Sequence, residues 1–396
     1  MIGRMLRIWA VGEGDTTSPV ERVRRHRRLH LDDIDDLAPW KRRMLLHWLI
    51  GTAVVGAALI AFSCLFLRDA VSDERAGWFD QSSPQVQSWL ATADRQAEAG
   101  GATRVTCGTY LSNISLIDIA GTDFNATMQV WFRWQGDESL DMADHFTIYK
   151  GIINSRELVR EESVGDTHYQ LVRLNVDVSK DFDTRRFPLD SHQLCIYVKS
   201  DYPASQVIFE PDLDNSQVNG GLSTSGYDIG GEAWGASAYV RESNDGAPGI
   251  EEHQAMSEFV TTVTITSKGF GTFFKCFVAM YATSLWVLIM LYICGRDRVD
   301  PLDMLPDALF GTVANVMIGA SLLPDALSLG LLEFVNMWGV ATVLMATLAV
   351  IQINNIRSDY GRADEAFAEF FGRGLFYVIA TLVIVGNVAL PLCALM

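Results

Sequence analysis

Hydrophobic and polar positions divide the chain into unlike tracts. Between Met44 and Leu67 about 24 residues pass without a formal charge, enough helix to cross a hydrocarbon core of roughly 30 Å. Three apolar blocks come late: Phe273–Cys294, Met304–Leu323 and Ala326–Ile353. A charged segment, Asn354–Arg373, separates them from a last apolar helix that starts at Gly374. The pattern predicts one membrane helix, a large polar region, then four more helices.

The polar region, residues 68 to about 270, opens with a helix-like stretch around Val86–Ala97. Ser82 or Ser83 suits its cap, and Pro84 sits just inside. From Cys107 onward short alternating runs take over. Thr109–Asp118 and Phe124–Trp134 are joined by the turn Gly121-Thr122-Asp123. More strands are expected at Thr147–Ile152, His168–Val178, Gln193–Ser200, Gln206–Glu210, Glu232–Arg241 and Glu258–Ser267. Such strands with turns between them predict an Ig-like β-sandwich. Trp131 and Trp134 are assigned to its core with Ala126 and Met128. The expected divisions are a tail (1–43), an anchor helix (44–67), a linker with a helix (68–104), the sandwich (105–270) and a four-helix transmembrane domain (271–396).

Charge orients this plan. Arg22, Arg24, Arg25, Arg27, Arg28, Lys41, Arg42 and Arg43 precede the first apolar run. The positive-inside rule then holds the N-terminus in the cytoplasm of a cell membrane and the sandwich outside. Arg296, Arg298, Arg357, Arg362 and Arg373 fall in loops this topology puts inside, and the C-terminus ends outside. The first run lies too far along the chain for a cleaved signal peptide and reads as an uncleaved anchor.

The formal net charge of −17 argues against nucleic-acid partners, which need a basic surface. The six cysteines (64, 107, 195, 276, 294 and 393) form no zinc-like spacing. Phosphate loops, GxSxG and HExxH are absent, so neither an enzyme nor a cofactor is expected. The run Glu210-Pro-Asp212-Leu-Asp214-Asn215 offers oxygens to a hard cation through Asp212 and Asp214, or is a solvated acidic loop.

Three motifs in order resemble the pentameric ligand-gated ion channels, the Cys-loop receptor superfamily, and especially its prokaryotic members. The first is Gly108-Thr-Tyr-Leu-Ser-Asn-Ile through Phe124-Asn-Ala-Thr-Met-Gln-Val-Trp131-Phe-Arg-Trp134, similar to the first hairpin of the family's ligand-binding sandwich. The second is Arg186-Phe187-Pro188-Leu189-Asp190-Ser-His-Gln193-Leu-Cys195, similar to the FPxDxQ element at its base. The third is Ala308-Leu309-Phe310 with Asn315, Leu323-Pro324 and Leu331-Leu332-Glu333, similar to the pore helix, its outer loop and the start of the next helix. The resemblance covers about residues 105–396. The anchor and tail depart from it, and Asp181 stands near the place of the first loop cysteine. Whether Cys107 and Cys195 pair is a matter of distance in the fold.

The resemblance implies a homopentamer in membrane lipid, gated by a small-molecule or ion ligand. Aligned on Leu323-Pro324, Asp303, Asp307, Phe310, Ala314, Met317 and Ser321 form one stripe, spaced four, three, four, three, four. Phe310, with Met317 or Ile318 above it, would gate by dewetting. Asp300, Asp303 and Asp307 would form acidic rings that select small cations. Asp303 is equally placed as the helix N-cap. Gly311, Asn315 and Gly319 form a second stripe that lets helices approach closely. Phe187, Pro188, Asp190, the loop around Asn125 and Pro324–Ser328 are the implied coupling zone, with Asp190 paired to Arg186 or an arginine near Arg296.

Family ligands sit in aromatic boxes, for which Tyr149, Phe209, Tyr227, Trp234 and Tyr239 are candidates. A second reading keeps the fold without conduction, as a membrane-anchored sensor or binding protein. The tail, with its basic cluster and Asp32-Asp33-Ile34-Asp35-Asp36, then binds a partner or anionic lipid, or equally is a topology signal with a disordered linker. The fifth helix is expected outside the ring, against lipid.

Overall fold

The first apolar run is the middle of a much longer helix. In a computed structural model, which describes residues 37–119, 121–224, 226–243, 246, 253–268, 270–296, 301–323, 329–359 and 365–396, helix α1 (Pro39–Ala76) has 38 residues. It continues beyond Leu67 for nine residues, about 14 Å at 1.5 Å per residue. Nothing between Leu67 and Gly77 breaks a helix, and Leu67, Ala70 and Val71 stay buried on one face. Hydropathy marked the uncharged stretch and missed the charged end.

Helix α2 (Pro84–Gly100) starts where its cap predicts. Ser83 Oγ accepts the Val86 N–H, Pro84 opens the first turn, and Gly101 ends the helix at φ 67°. Ten strands come next in the described chain: β1 (Thr103–Asp118), β2 (Asp123–Gln135), β3 (Phe146–Ile148), β4 (Gly151–Val164), β5 (Thr167–Ser179), β6 (Ser191–Ser200), β7 (Val207–Pro211), β8 (Gln217–Val218), β9 (Tyr227–Val240) and β10 (Ala255–Ser267). They form two sheets. One runs β4-β5-β2-β1-β7, with β8 also on β1, and the other runs β3-β6-β10-β9. Both contribute to one apolar core, including Phe132, Met128 and Val172 from the first and Leu194, Ile196 and Phe259 from the second.

Three expectations are corrected by the fold. Thr147–Ile152 is not one strand: Lys150 takes φ 54° and the chain passes from one sheet to the other, β3 to β4. β4 itself was missed. It is an edge strand, exposed along most of its length, so it carries charges where a half-buried strand would alternate. Trp131 is one residue out of phase with Ala126, Met128 and Trp134 and lies on the other face of β2. Its Nε1–H donates to Asp212 Oδ2 at 3.1 Å, and its ring covers Gly108, where a Cβ would collide with it.

The remaining helices are α3 (Phe270–Arg296), α4 (Leu305–Leu322), α5 (Leu331–Asp359) and α6 (Glu365–Leu395). Among the described residues α1, α3, α5 and α6 are each long and apolar enough to cross a membrane. α6 starts nine residues before Gly374 because Phe367, Ala368, Phe370 and Phe371 bury one face of its charged first turns. α1 packs on α6, with Gly56 against Leu382 and Gly374 against Leu45 and Leu49. Phe62 and Phe66 of α1 meet Phe334 of α5 edge-on. The extra helix therefore joins the others closely on one side.

Candidate functional site

Helix α4, which carries the stripe expected of a pore helix, has two unlike faces. Asp303, Asp307, Phe310, Ala314, Met317 and Ser321 are all exposed in the single chain, Phe310 at 73% and Met317 at 68%. Leu309, Val313, Val316 and Ile318 are exposed too, so the open surface of α4 is wider than one stripe. The opposite face is packed. A Cβ on Gly311 would meet Thr283 of α3, and one on Gly319 would meet Leu332 of α5. Between them Asn315 is fully buried and its Nδ2 donates to Asn336 Oδ1 at 2.7 Å. Asp300 and Pro324–Ser328 lie outside the described residues, as does the tail with Asp32-Asp33-Ile34-Asp35-Asp36.

Where the sheets meet the helices, four charged side chains gather. Phe187 is buried in the cluster that holds Leu331, Leu332 and Phe277, and Pro188 beside it is buried as well. Arg186, 4% exposed, reaches Glu74 Oε2 of α1 at 3.0 Å and donates from Nε to the Ala394 carbonyl of α6 at 2.8 Å. His192 sits between two carboxylates: Nε2 is 2.8 Å from Asp190 Oδ2, and Nδ1 is 2.9 Å from Glu74 Oε1. Phe182 closes the ring edge of His192, and Ser191 Oγ lies 3.5 Å from Arg186 Nη1. Beside this group Arg185 bridges Asp73 and Asp183.

Burial opposes a charge on His192, but Asp190 and Glu74 override it and hold its pKa at about 9. With His192 protonated the cluster has two cations and two anions. The expected partner of Asp190 is thus corrected. His192 takes Asp190, and Arg186 takes a glutamate that arrives from a helix more than a hundred residues earlier. Asn125 is not in this cluster. It lies in β2, bonded to Ser115, Asn175 and Asp177. The β1–β2 connection instead sends Ile119 to the helices.

A cavity of about 720 Å³ opens on the outer face of the β3-β6-β10-β9 sheet. The segment from Gly77 to α2 covers it. Gln193 Oε1 accepts the Phe79 N–H at 2.6 Å, Gln81 Oε1 accepts the Ala236 N–H at 3.3 Å, and Gly235 leaves room for Gln81. Tyr149 and Tyr239 line the cavity with ring centroids 5.4 Å apart, and Tyr197 stands edge-on to Tyr149. The other aromatic candidates go elsewhere. Phe209 and Tyr227 are buried in the sandwich core, and Trp234 packs against that core.

The lining residues that sequence reasoning missed are Phe79, Lys180, Tyr197, Lys199 and Glu258. A signal existed for two of them. Tyr197 and Lys199 alternate with buried Leu194, Ile196 and Val198, which puts them together on the outward face of β6.

Asp212 is engaged by protein donors. Its oxygens accept from Trp131 Nε1 and Asn215 Nδ2, while Asp214 is exposed. Among the described residues no group of three His, Cys, Asp or Glu is arranged to hold a metal. All six cysteines are free, so Cys107 of β1 and Cys195 of β6 do not pair. No protein-family model matches this chain, and no curated protein matches it.

Proposed function

We propose that this protein is a homopentameric, cation-selective ligand-gated channel of the cell membrane, with the N-terminus cytoplasmic and an Ig-like sandwich outside. The observation that carries the reading is the division of α4. One face is filled with small and polar residues against α3 and α5, while Phe310, Met317 and their neighbours are left without cover. A single chain gains nothing by exposing so much apolar helix beside aspartates, whereas a ring of five copies gives that surface both neighbours and a water-filled lumen. The order of the three motifs along the chain supports the same reading.

In this mechanism a ligand in the cavity moves β6, β9 and β10 against the covering segment. The movement reaches the helices through Phe187 and through the Arg186, Glu74, His192 and Asp190 cluster. Phe310, with Met317 or Ile318, closes the pore by excluding water, and Asp303 and Asp307 concentrate cations at the cytoplasmic mouth.

Native mass spectrometry of the detergent-purified protein tests the assembly. The expected peak lies at five times the 43.9 kDa chain, and bilayer recordings in asymmetric salt then read conductance. A monomer or dimer that persists across mild detergents overturns the channel reading in favour of an anchored sensor. A pentamer without conductance does the same.

A further inference from the structure

The charges in the cavity do not suit a cationic ligand, the kind an aromatic box would favour through its ring faces. Lys150, Lys180 and Lys199 all line it. In a chain of net charge −17, none of the three forms an ion pair among the described residues. Two of them already occupy the ring faces a ligand cation would need. Lys150 Nζ stands 5.7 Å from the Tyr149 ring, and Lys199 Nζ stands 5.0 Å from the Tyr239 ring. Lys180 is half-buried, and burial lowers its pKa against the weaker pull of Cys195, Glu74 and Asp181. At the cavity floor Glu258 is 4% exposed, and its Oε1 has no hydrogen-bond partner. It faces Lys199 on β6 and Ser237 on β9 across the sheet.

We propose that the cavity binds a small organic carboxylate, its anionic end held by Lys180 and Lys199 and hydrogen-bonded by the Glu258 carboxylic acid, its apolar part laid on Phe79, Trp89 and Tyr197. This rests on the cavity being the ligand site of the proposed channel. A carboxylate supplies the counter-charge the lysines lack and the partner Glu258 Oε1 lacks. Burial supplies the proton on Glu258: it pushes the pKa up to about 7, with Lys199 and Ser237 pulling back. The other charged groups of the lining are Asp181, Arg241 and Glu242. Above neutrality Glu258 ionises and repels the ligand, so binding weakens as pH rises. A cationic ligand would show the opposite slope.

Calorimetry on the full-length protein in detergent, with benzoate and phenylethylammonium as probes at several pH values, tests this. Benzoate is expected to bind, with affinity falling about tenfold per pH unit above 7. Lys199→Ala and Lys180→Ala each weaken it about tenfold or more. Glu258→Gln, which keeps a donor, binds benzoate with no such slope, and its unchanged melting temperature shows that the fold is kept. Preferential binding of phenylethylammonium, tightening with pH, overturns the proposal. So does the absence of saturable benzoate heat, or benzoate binding indifferent to both lysines. Conductance is not read, so a protein that binds benzoate without conducting sinks only the channel, and one that conducts without binding benzoate sinks only the ligand class.

Discussion

Glu74 and Arg186 stand 112 positions apart in sequence and 3.0 Å apart in space, both almost wholly out of water. One is on the last turn of the first helix, the other at the end of a 3-10 turn (Thr184–Arg186) before β6. Arg186 also holds the Ala394 carbonyl, so one guanidinium ties the first helix, the last helix and the base of the sheets. Removing one partner leaves a buried charge alone, which costs about 3–5 kcal/mol. Glu74→Ala is expected to lower the melting temperature steeply. The double change Glu74→Leu with Arg186→Met recovers much of the loss. A Glu74→Ala protein that melts like the parent would show that the pair contributes nothing.

His192 makes stability depend on pH. Its folded pKa of about 9 lies above the ordinary value of 6.5. The contribution is therefore complete below pH 6.5 and is lost as pH rises through 9, for about 3 kcal/mol in all. Melting temperatures between pH 6 and 10 should fall across that window, and His192→Gln should flatten the curve. A parent profile that rises over the same range contradicts the assignment of the proton.

Asp303 and Asp307 are exposed, so Asp→Asn at both positions should leave the melting temperature unchanged. If the proposed channel is cation-selective through these carboxylates, the reversal potential of the double variant in asymmetric salt moves toward zero. An unmoved reversal potential removes these residues from the selectivity mechanism.

Gly311 tests the packed side of α4. A Cβ there would collide with Thr283 Oγ1. Gly311→Ala should cost about 1–3 kcal/mol through forced separation of α4 and α3. Ala314→Ser, on the open face of the same helix, should cost almost nothing. Equal effects, read as melting temperatures, would mean the two faces are not distinguished.

Much of the architecture was legible along the chain. Period-two runs found most strands of both sheets, the Ser83–Pro84 pair found the start of α2, and apolar length found the four helices long and apolar enough to cross a membrane. Local rules failed where burial did not follow the local pattern. β4 lies at a sheet edge and carries charge on both faces. The last turns of α1 and the first of α6 are charged yet helical, because neighbouring elements bury one side of each.

By itself the sequence determined most of the strands and helices, and which face of α4 is small. Those properties depend on residues within a few positions of one another. It also placed Tyr149 and Tyr239 among the aromatic candidates. Only the tertiary structure decided that these two share a cavity with Lys199 and Glu258 while Phe209 and Tyr227 fill the core. Only it decided that Arg186 meets Glu74 and that Asp190 meets His192. Such pairings depend on how far α1 extends and which helix it lies against. That is settled by packing between distant parts of the chain, on which the spacing of residues carries no information.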